Sequence, residues 1–155
     1  MEQQPGKIFC LIRNQWVSSQ PEEMVRQYWI QRMIEEWGYP KGVFALEKRL
    51  TQLPHLSLSP LKLPTRRADI LVFAKGIHPQ HDFYPLLLIE CKAVALTQKT
   101  IRQAVGYNFY VQAPFIAVVN QTESRFGRYD KIKGMFHFES GMPSYESLLM
   151  NFPYT

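Results

Sequence analysis

The feature that most narrows the fold is the stretch Pro85-Leu-Leu-Leu-Ile-Glu-Cys-Lys-Ala93. An apolar run this short and unbroken suits a strand buried on both faces of a sheet. It ends by committing two opposite charges, Glu90 and Lys92. Side chains alternate along a strand, so these two share a face and Cys91 takes the other.

A second strand signal precedes it. Ala-Asp-Ile-Leu-Val-Phe-Ala over 68–74 reads as a strand, and 75–85 is short enough to join the two as an antiparallel hairpin. The start of one strand then lies beside the end of the other, which brings Asp69 toward Glu90 and Lys92 at one edge of the sheet. Paired carboxylates bind a hard cation such as Mg2+. The cation lowers the pKa of a bound water and stabilises charge on a scissile phosphate, while a lysine orients the water or neutralises developing charge. That chemistry is phosphodiester hydrolysis. A Glu-x-Lys tripeptide alone reads as a solvated strand end with an ion pair of little worth. Asp69 at the head of the neighbouring strand is what favours the chemical reading.

The surrounding pattern supplies helices. Pro21 followed by Glu22 and Glu23 suits a helix start. Val25, Trp29, Met33 and Trp37 follow at helical spacing, and Gly38 ends the run. Residues 43–53 alternate as a strand. Residues 54–64, rich in proline and serine, read as an irregular loop. A second helix spans 97–113 with Thr97 as its N-cap, and 114–120 is another buried strand. Residues 7–17 read as a lead-in strand or hairpin, 121–131 as a polar turn, 134–138 as a strand and 143–151 as a short final helix. The core order is helix, strand, strand, strand, helix, strand. It predicts an α/β domain with a mixed sheet and helices packed on it.

Bulk properties are consistent with one domain. The chain has 155 residues and is 46% hydrophobic, enough for a real core. No apolar run reaches the ~20 residues of a membrane span, and the N-terminus makes a poor secretory signal. Two cysteines, Cys10 and Cys91, form neither a disulfide framework nor a metal spacing, so a cytoplasmic location is expected. The net charge of +5 suits a polyanionic partner, although many basic proteins never touch nucleic acid. Arg66, Arg67 and Lys75, with Arg125, Arg128, Lys131 and Lys133 in the tail, are candidates for sequence-independent phosphate contacts or for a solubilising surface. His55, His78, His81 and His137 are scattered and read as surface residues without zinc spacing.

Gln103 and Tyr107 lie four apart and share a helix face, which Tyr110 extends. Alone the pair says little. Asp69, then Glu90-Cys91-Lys92, then Gln103-x-x-x-Tyr107 together resemble the PD-(D/E)xK nuclease superfamily. More closely, the chain resembles the nuclease domain at the N-terminus of the type I restriction enzyme motor subunit and its small standalone relatives. The stretches 21–40, 43–50, 66–73, 86–93, 103–108 and 113–120 fall in that family's order and spacing.

This resemblance implies a restriction-endonuclease-like core, α-β-β-β-α-β, over about 20–120 within a single nuclease-like domain spanning 1–155. It implies a Mg2+ (or Mn2+) site held by Asp69, Glu90 and the backbone carbonyl of Cys91, with Lys92 catalytic and Gln103 and Tyr107 supporting DNA position or site geometry. An acid from the first helix often joins such sites. Glu22 is the candidate, with Glu23 close behind, and Glu47 is a further one that reads equally well as an exposed strand charge. Two departures stand out: Ala68 replaces the proline before Asp69, and Val-Val-Asn-Gln replaces the family's Thr-Asn-Gly. The expected function is hydrolysis of DNA phosphodiesters, with DNA, a motor or specificity protein, or a second copy as partner. The sequence carries no helicase motor, so the type I machine itself is not expected. Two alternatives stay open: a catalytically silent nucleic-acid-binding or scaffold module that keeps the nuclease fold, and an RNA-directed or partner-dependent nuclease.

Overall fold

A computed structural model describes residues 4–152 of the chain. A short antiparallel hairpin, β1 (Lys7–Cys10) with β2 (Gln15–Ser18), leads into helix α1 (Pro21–Trp37). Pro21 occupies the first turn of α1, and Gly38 closes the helix at φ 70°, a left-handed geometry that costs glycine little. The buried side of α1 carries Val25, Trp29, Ile30 and Met33, as the spacing predicts, and also Arg26 and Gln27. Trp29 Nε1 donates to the Asn120 carbonyl at 2.6 Å, which fastens the helix to the far side of the sheet.

The main sheet has six strands: β3 (Phe44–Arg49), β4 (Arg67–Lys75), β5 (Phe83–Cys91), β6 (Phe115–Val119), β7 (Ser124–Asp130) and β8 (Met135–Ser140), in that spatial order. Only β5 and β6 run parallel; every other neighbouring pair is antiparallel. Helix α2 (Gln98–Val111) provides the crossover that this parallel pair requires. Thr97 caps it through the reciprocal bonds of a capping box with Thr100. A short helix, α3 (Tyr145–Met150), closes the described chain.

The apolar run of β5 is buried on both faces, as predicted. Leu87 and Ile89 join Val25, Trp29, Ile30 and Met33 on the α1 side. Leu88 joins Leu71, Tyr107 and Val111 under α2. Full burial of each leucine or isoleucine is worth about 1.5–3 kcal/mol, so β5 is the main apolar anchor of the sheet.

Two expectations are corrected. The strand expected over 43–53 stops at Arg49, and Leu50–Gln52 turns as a 3-10 helix. Leu50 and Leu53 are three apart and both enter the α2-side core, a spacing that a turn satisfies and an alternating strand does not. The polar segment 121–131, expected as a turn, holds β7. Arg125 and Arg128 project from that strand while Phe126 and Gly127 are buried, so its average polarity conceals a sheet member. Gly127 is required by packing: a Cβ there would stand 2.6 Å from Cε1 of Phe138 on β8.

Candidate active site

β4 and β5 are antiparallel with Ile70 opposite Ile89, so the next positions out, Asp69 and Glu90, face each other across the hairpin. The Cys91 amide donates to Oδ2 of Asp69 at 2.8 Å, which fixes the aspartate against the end of β5. Lys92 follows just past the strand, its amide bonded to the Val119 carbonyl at 2.9 Å. The structure therefore brings together the three residues that the hairpin arithmetic predicts.

Glu90 is in an unusual state for an acid. Its side chain is 1% exposed, and neither carboxylate oxygen accepts a hydrogen bond from a described donor. Its nearest cation is Arg66, with Nη2 2.7 Å from Oε2, a charge contact without the alignment of a hydrogen bond. Burial, and then the adjacent Asp69 carboxylate, push the Glu90 carboxyl up to about 9, against the opposing pull of Arg66 and Lys92. Two carboxyl groups crowded together offer hard oxygen donors only, the donor type that Mg2+ or Mn2+ takes once the proton is displaced. Among the described residues no group of three or more His, Cys, Asp and Glu side chains is arranged to hold a metal. A cation here would rest on two carboxylates, with backbone oxygen and water completing its shell, as Mg2+ accepts.

Cys91 points to the α1 side and is fully buried. Burial first, and Asp69 second, push its thiol well above the usual range, so the sulfur stays neutral.

The α1 side of Asp69 holds a charge network that the sequence did not reveal. Arg26 lies 3.2 Å from Glu23, 3.5 Å from Glu47 and 3.8 Å from Oδ1 of Asp69. Arg13, from the turn of the β1–β2 hairpin, lies 3.0 Å from both Glu23 and Glu47. Glu47 stands opposite Asp69 where the β3–β4 ladder is interrupted, and its φ of 52° is left-handed. Such backbone strain costs about 1–3 kcal/mol and gathers at functional sites. The acid of α1 tied into this network is Glu23. Glu22, the residue singled out from the sequence, is exposed and lines the neighbouring cleft with Arg13 and Glu47. Arg26 sits beside Val25 on the buried face, so an ionic residue at a core position was the available signal.

On the opposite side a cleft of about 510 Å³ is lined by Arg66, Lys92, Gln103, Tyr107 and Tyr110. Gln103 is exposed at its lip and Tyr107 is buried at its base. Tyr107 Oη donates to the Arg66 carbonyl at 2.8 Å, and its ring lies 4.9 Å beneath the Arg66 guanidinium. Burial, and then Glu90, push the Tyr107 phenol up, so it remains a donor.

The basic residues divide. Arg66 engages Glu90, and Arg67 is exposed at the start of β4. Lys75 lies at the other end of β4, about 20 Å from Asp69 along the strand, with its Nζ 6.0 Å from the Phe83 ring centre. It is not brought to the site. Arg125 is 3.5 Å from Glu123. The histidines are less scattered than expected: His55, His78 and His81 cluster around Tyr84 at the end of the sheet remote from Glu90.

A mixed sheet flanked by helices, with Asp, Glu and Lys gathered at the open end of its central hairpin, has the architecture of the restriction-endonuclease-like class. The chain belongs to the family described as Type I restriction enzyme R protein N terminus (HSDR_N), whose model matches residues 21–143. That span includes Asp69, Glu90, Lys92, Gln103 and Tyr107, and it extends past the expected 20–120 core to take in β7 and β8. No curated protein and no solved structure matches the chain at a significant level. No described helix is long and apolar enough to cross a membrane.

Proposed function

We propose that this chain is a nuclease domain that hydrolyses DNA phosphodiesters with Mg2+ or Mn2+. The observation that carries the reading is Glu90, buried opposite Asp69, without a hydrogen-bond donor, beside Lys92 at the edge of an open cleft. A carboxylate is kept in such a place at a cost to stability, which is the mark of a site built for a cation.

Asp69, Glu90 and the Cys91 carbonyl would hold the cation, which supplies charge stabilisation at the scissile phosphate and a water of lowered pKa. Lys92 lines the cleft and neutralises charge on the phosphate or holds the attacking water. Gln103, at the lip, offers an amide to the DNA backbone. Tyr107 holds the segment before β4 in place through the Arg66 carbonyl. Arg67 adds a phosphate contact from the same end of the sheet. Arg26, Glu23 and Glu47 fix Asp69 from behind, and Glu22 stands nearby as a further acid for the cation's water shell. A motor or specificity protein, or a second copy, would supply the choice of cutting position.

The test is titration of the purified protein with Mg2+ or Mn2+ in the presence of labelled duplex, branched and single-stranded DNA, beside Lys92→Ala. Cleavage that requires the cation and drops by at least about 100-fold in Lys92→Ala, at unchanged melting temperature, is expected. Cation binding with no cleavage of any of these substrates would point to a partner-dependent nuclease. No cation binding would leave a nuclease fold retained for binding alone.

A further inference from the structure

The sequence offers Arg66 as an ordinary phosphate contact, yet in the structure its guanidinium is turned inward. Its side chain is 43% exposed, and it nevertheless reaches Nη2 to within 2.7 Å of a carboxylate that is 1% exposed. The contact has no hydrogen-bond alignment on either Glu90 oxygen. Arg66 thus supplies positive charge to the buried acid without being locked to it. Its attachment lies elsewhere: the Tyr107 hydroxyl holds its carbonyl at 2.8 Å, and the Tyr107 ring underlies the guanidinium at 4.9 Å.

We propose that Arg66 is a switchable counter-cation, seated on Glu90 until a divalent cation displaces it, and then delivered along the Tyr107 ring into the cleft as a phosphate ligand. The inference rests on the nuclease reading and deepens it by coupling the cation to the nucleic acid. A hard cation held by Asp69 and Glu90 would share the Glu90 carboxyl group that Arg66 now contacts. Two positive groups at one carboxyl group repel, and the guanidinium is the one on a flexible stem. Its backbone stays fixed by Tyr107, so the displaced group remains above the ring, where Lys92, Gln103 and Tyr110 line an open cleft. A planar guanidinium fork matches a phosphate there better than an ammonium does.

The consequence is a reciprocal linkage: cation binding frees Arg66 for DNA, and bound DNA holds Arg66 off Glu90 and so tightens the cation. The experiment measures Ca2+ affinity by calorimetry and affinity for a 20-base-pair duplex by fluorescence anisotropy, each with and without the other ligand. It uses the full chain, Arg66→Ala and Tyr107→Phe. Wild-type protein should bind duplex at least about 5-fold more tightly with Ca2+ than without. Arg66→Ala should bind Ca2+ alone more tightly than wild type, because its competitor is gone. The variant should lose duplex affinity only when Ca2+ is present, and under that condition its salt dependence should fall by about one counterion. Tyr107→Phe keeps the ring and loses the tether, so it should reduce the linkage without tightening Ca2+ binding to the same degree.

Equal loss of duplex affinity with and without Ca2+ would make Arg66 a static phosphate contact and overturn the proposal, as would weaker or unchanged Ca2+ binding in Arg66→Ala. A wild-type protein that takes up no cation would overturn the nuclease reading as well. That outcome is read from the first titration alone, so the two failures are distinguishable.

Discussion

Glu90 gives up water and accepts no hydrogen bond from a described backbone or basic donor, and the Asp69 carboxylate beside it helps hold its proton on. A buried acceptor left without a donor costs about 1–3 kcal/mol, and a neighbouring carboxylate adds to that cost. Glu90→Gln should therefore raise the melting temperature of the cation-free protein, by an amount corresponding to about 1 kcal/mol or more. The same change should abolish the stabilisation that wild type gains from millimolar Mg2+. Thermal scans with and without Mg2+ check both halves, and a variant less stable than wild type without the cation would mean that Glu90 serves packing. At this scale the sequence was partly legible. Asp69 opposite Glu90 follows from counting residues along a hairpin, because strand pairing is periodic. The ties from Arg66 to Glu90 and from Arg13 and Arg26 to Glu23 and Glu47 join distant segments through side chains, and no periodicity announces them. For the same reason the sequence points to Glu22, whereas the arginines engage Glu23. Helical spacing places both near the site, and only the positions of the arginines separate them.

At the scale of elements, those with a strong single period emerged closest to their predicted form: α1, α2 and the buried β5. Those that mix periods did not. β7 alternates polar and apolar residues imperfectly and carries Gly127 in its middle, which reads as turn chemistry. The structure gives Gly127 a different reason, the Phe138 ring lying across it. Gly127→Ala should destabilise by about 1–3 kcal/mol, since the ring must shift. Phe138→Ala removes the obstacle, so the double variant should lose measurably less than the sum of the two single losses. Denaturant titrations of the four proteins give the coupling. Strict additivity would place the ring elsewhere and leave the fit of β8 against β7 unexplained. Because β8 is an edge strand, this coupling should alter stability while any cation affinity of the proposed site on β4 and β5 stays unchanged.

Across the whole molecule, the buried carboxylates and a histidine cluster sit at opposite ends of the sheet. The open end of the β4–β5 hairpin carries the carboxylates. The closed end carries His78 and His81 in the turn, with His55 reaching over from the loop after β3. His55 Nε2 lies 2.8 Å from the Val111 carbonyl, and the Tyr84 hydroxyl donates to the Gln112 carbonyl at 2.7 Å, so this end pins the C-terminus of α2. Burial first lowers the pKa of His55, and the nearby His81 and His78 lower it further against the bond to Val111. A histidine depressed in the fold keeps its full contribution above its unfolded pKa of about 6.5 and loses it as pH falls through the lower folded value. Wild type should therefore lose melting temperature on going from pH 7.5 to pH 5. His55→Gln should start lower at pH 7.5 by about one hydrogen bond, ~1 kcal/mol, and fall less steeply. Burial lowers the pKa of His78 as well, so the comparison reads the slope difference and not the slope itself. Parallel slopes would assign the acid sensitivity to groups other than His55. A shallower slope in the variant would place it in the clasp that holds the end of α2, remote from Glu90.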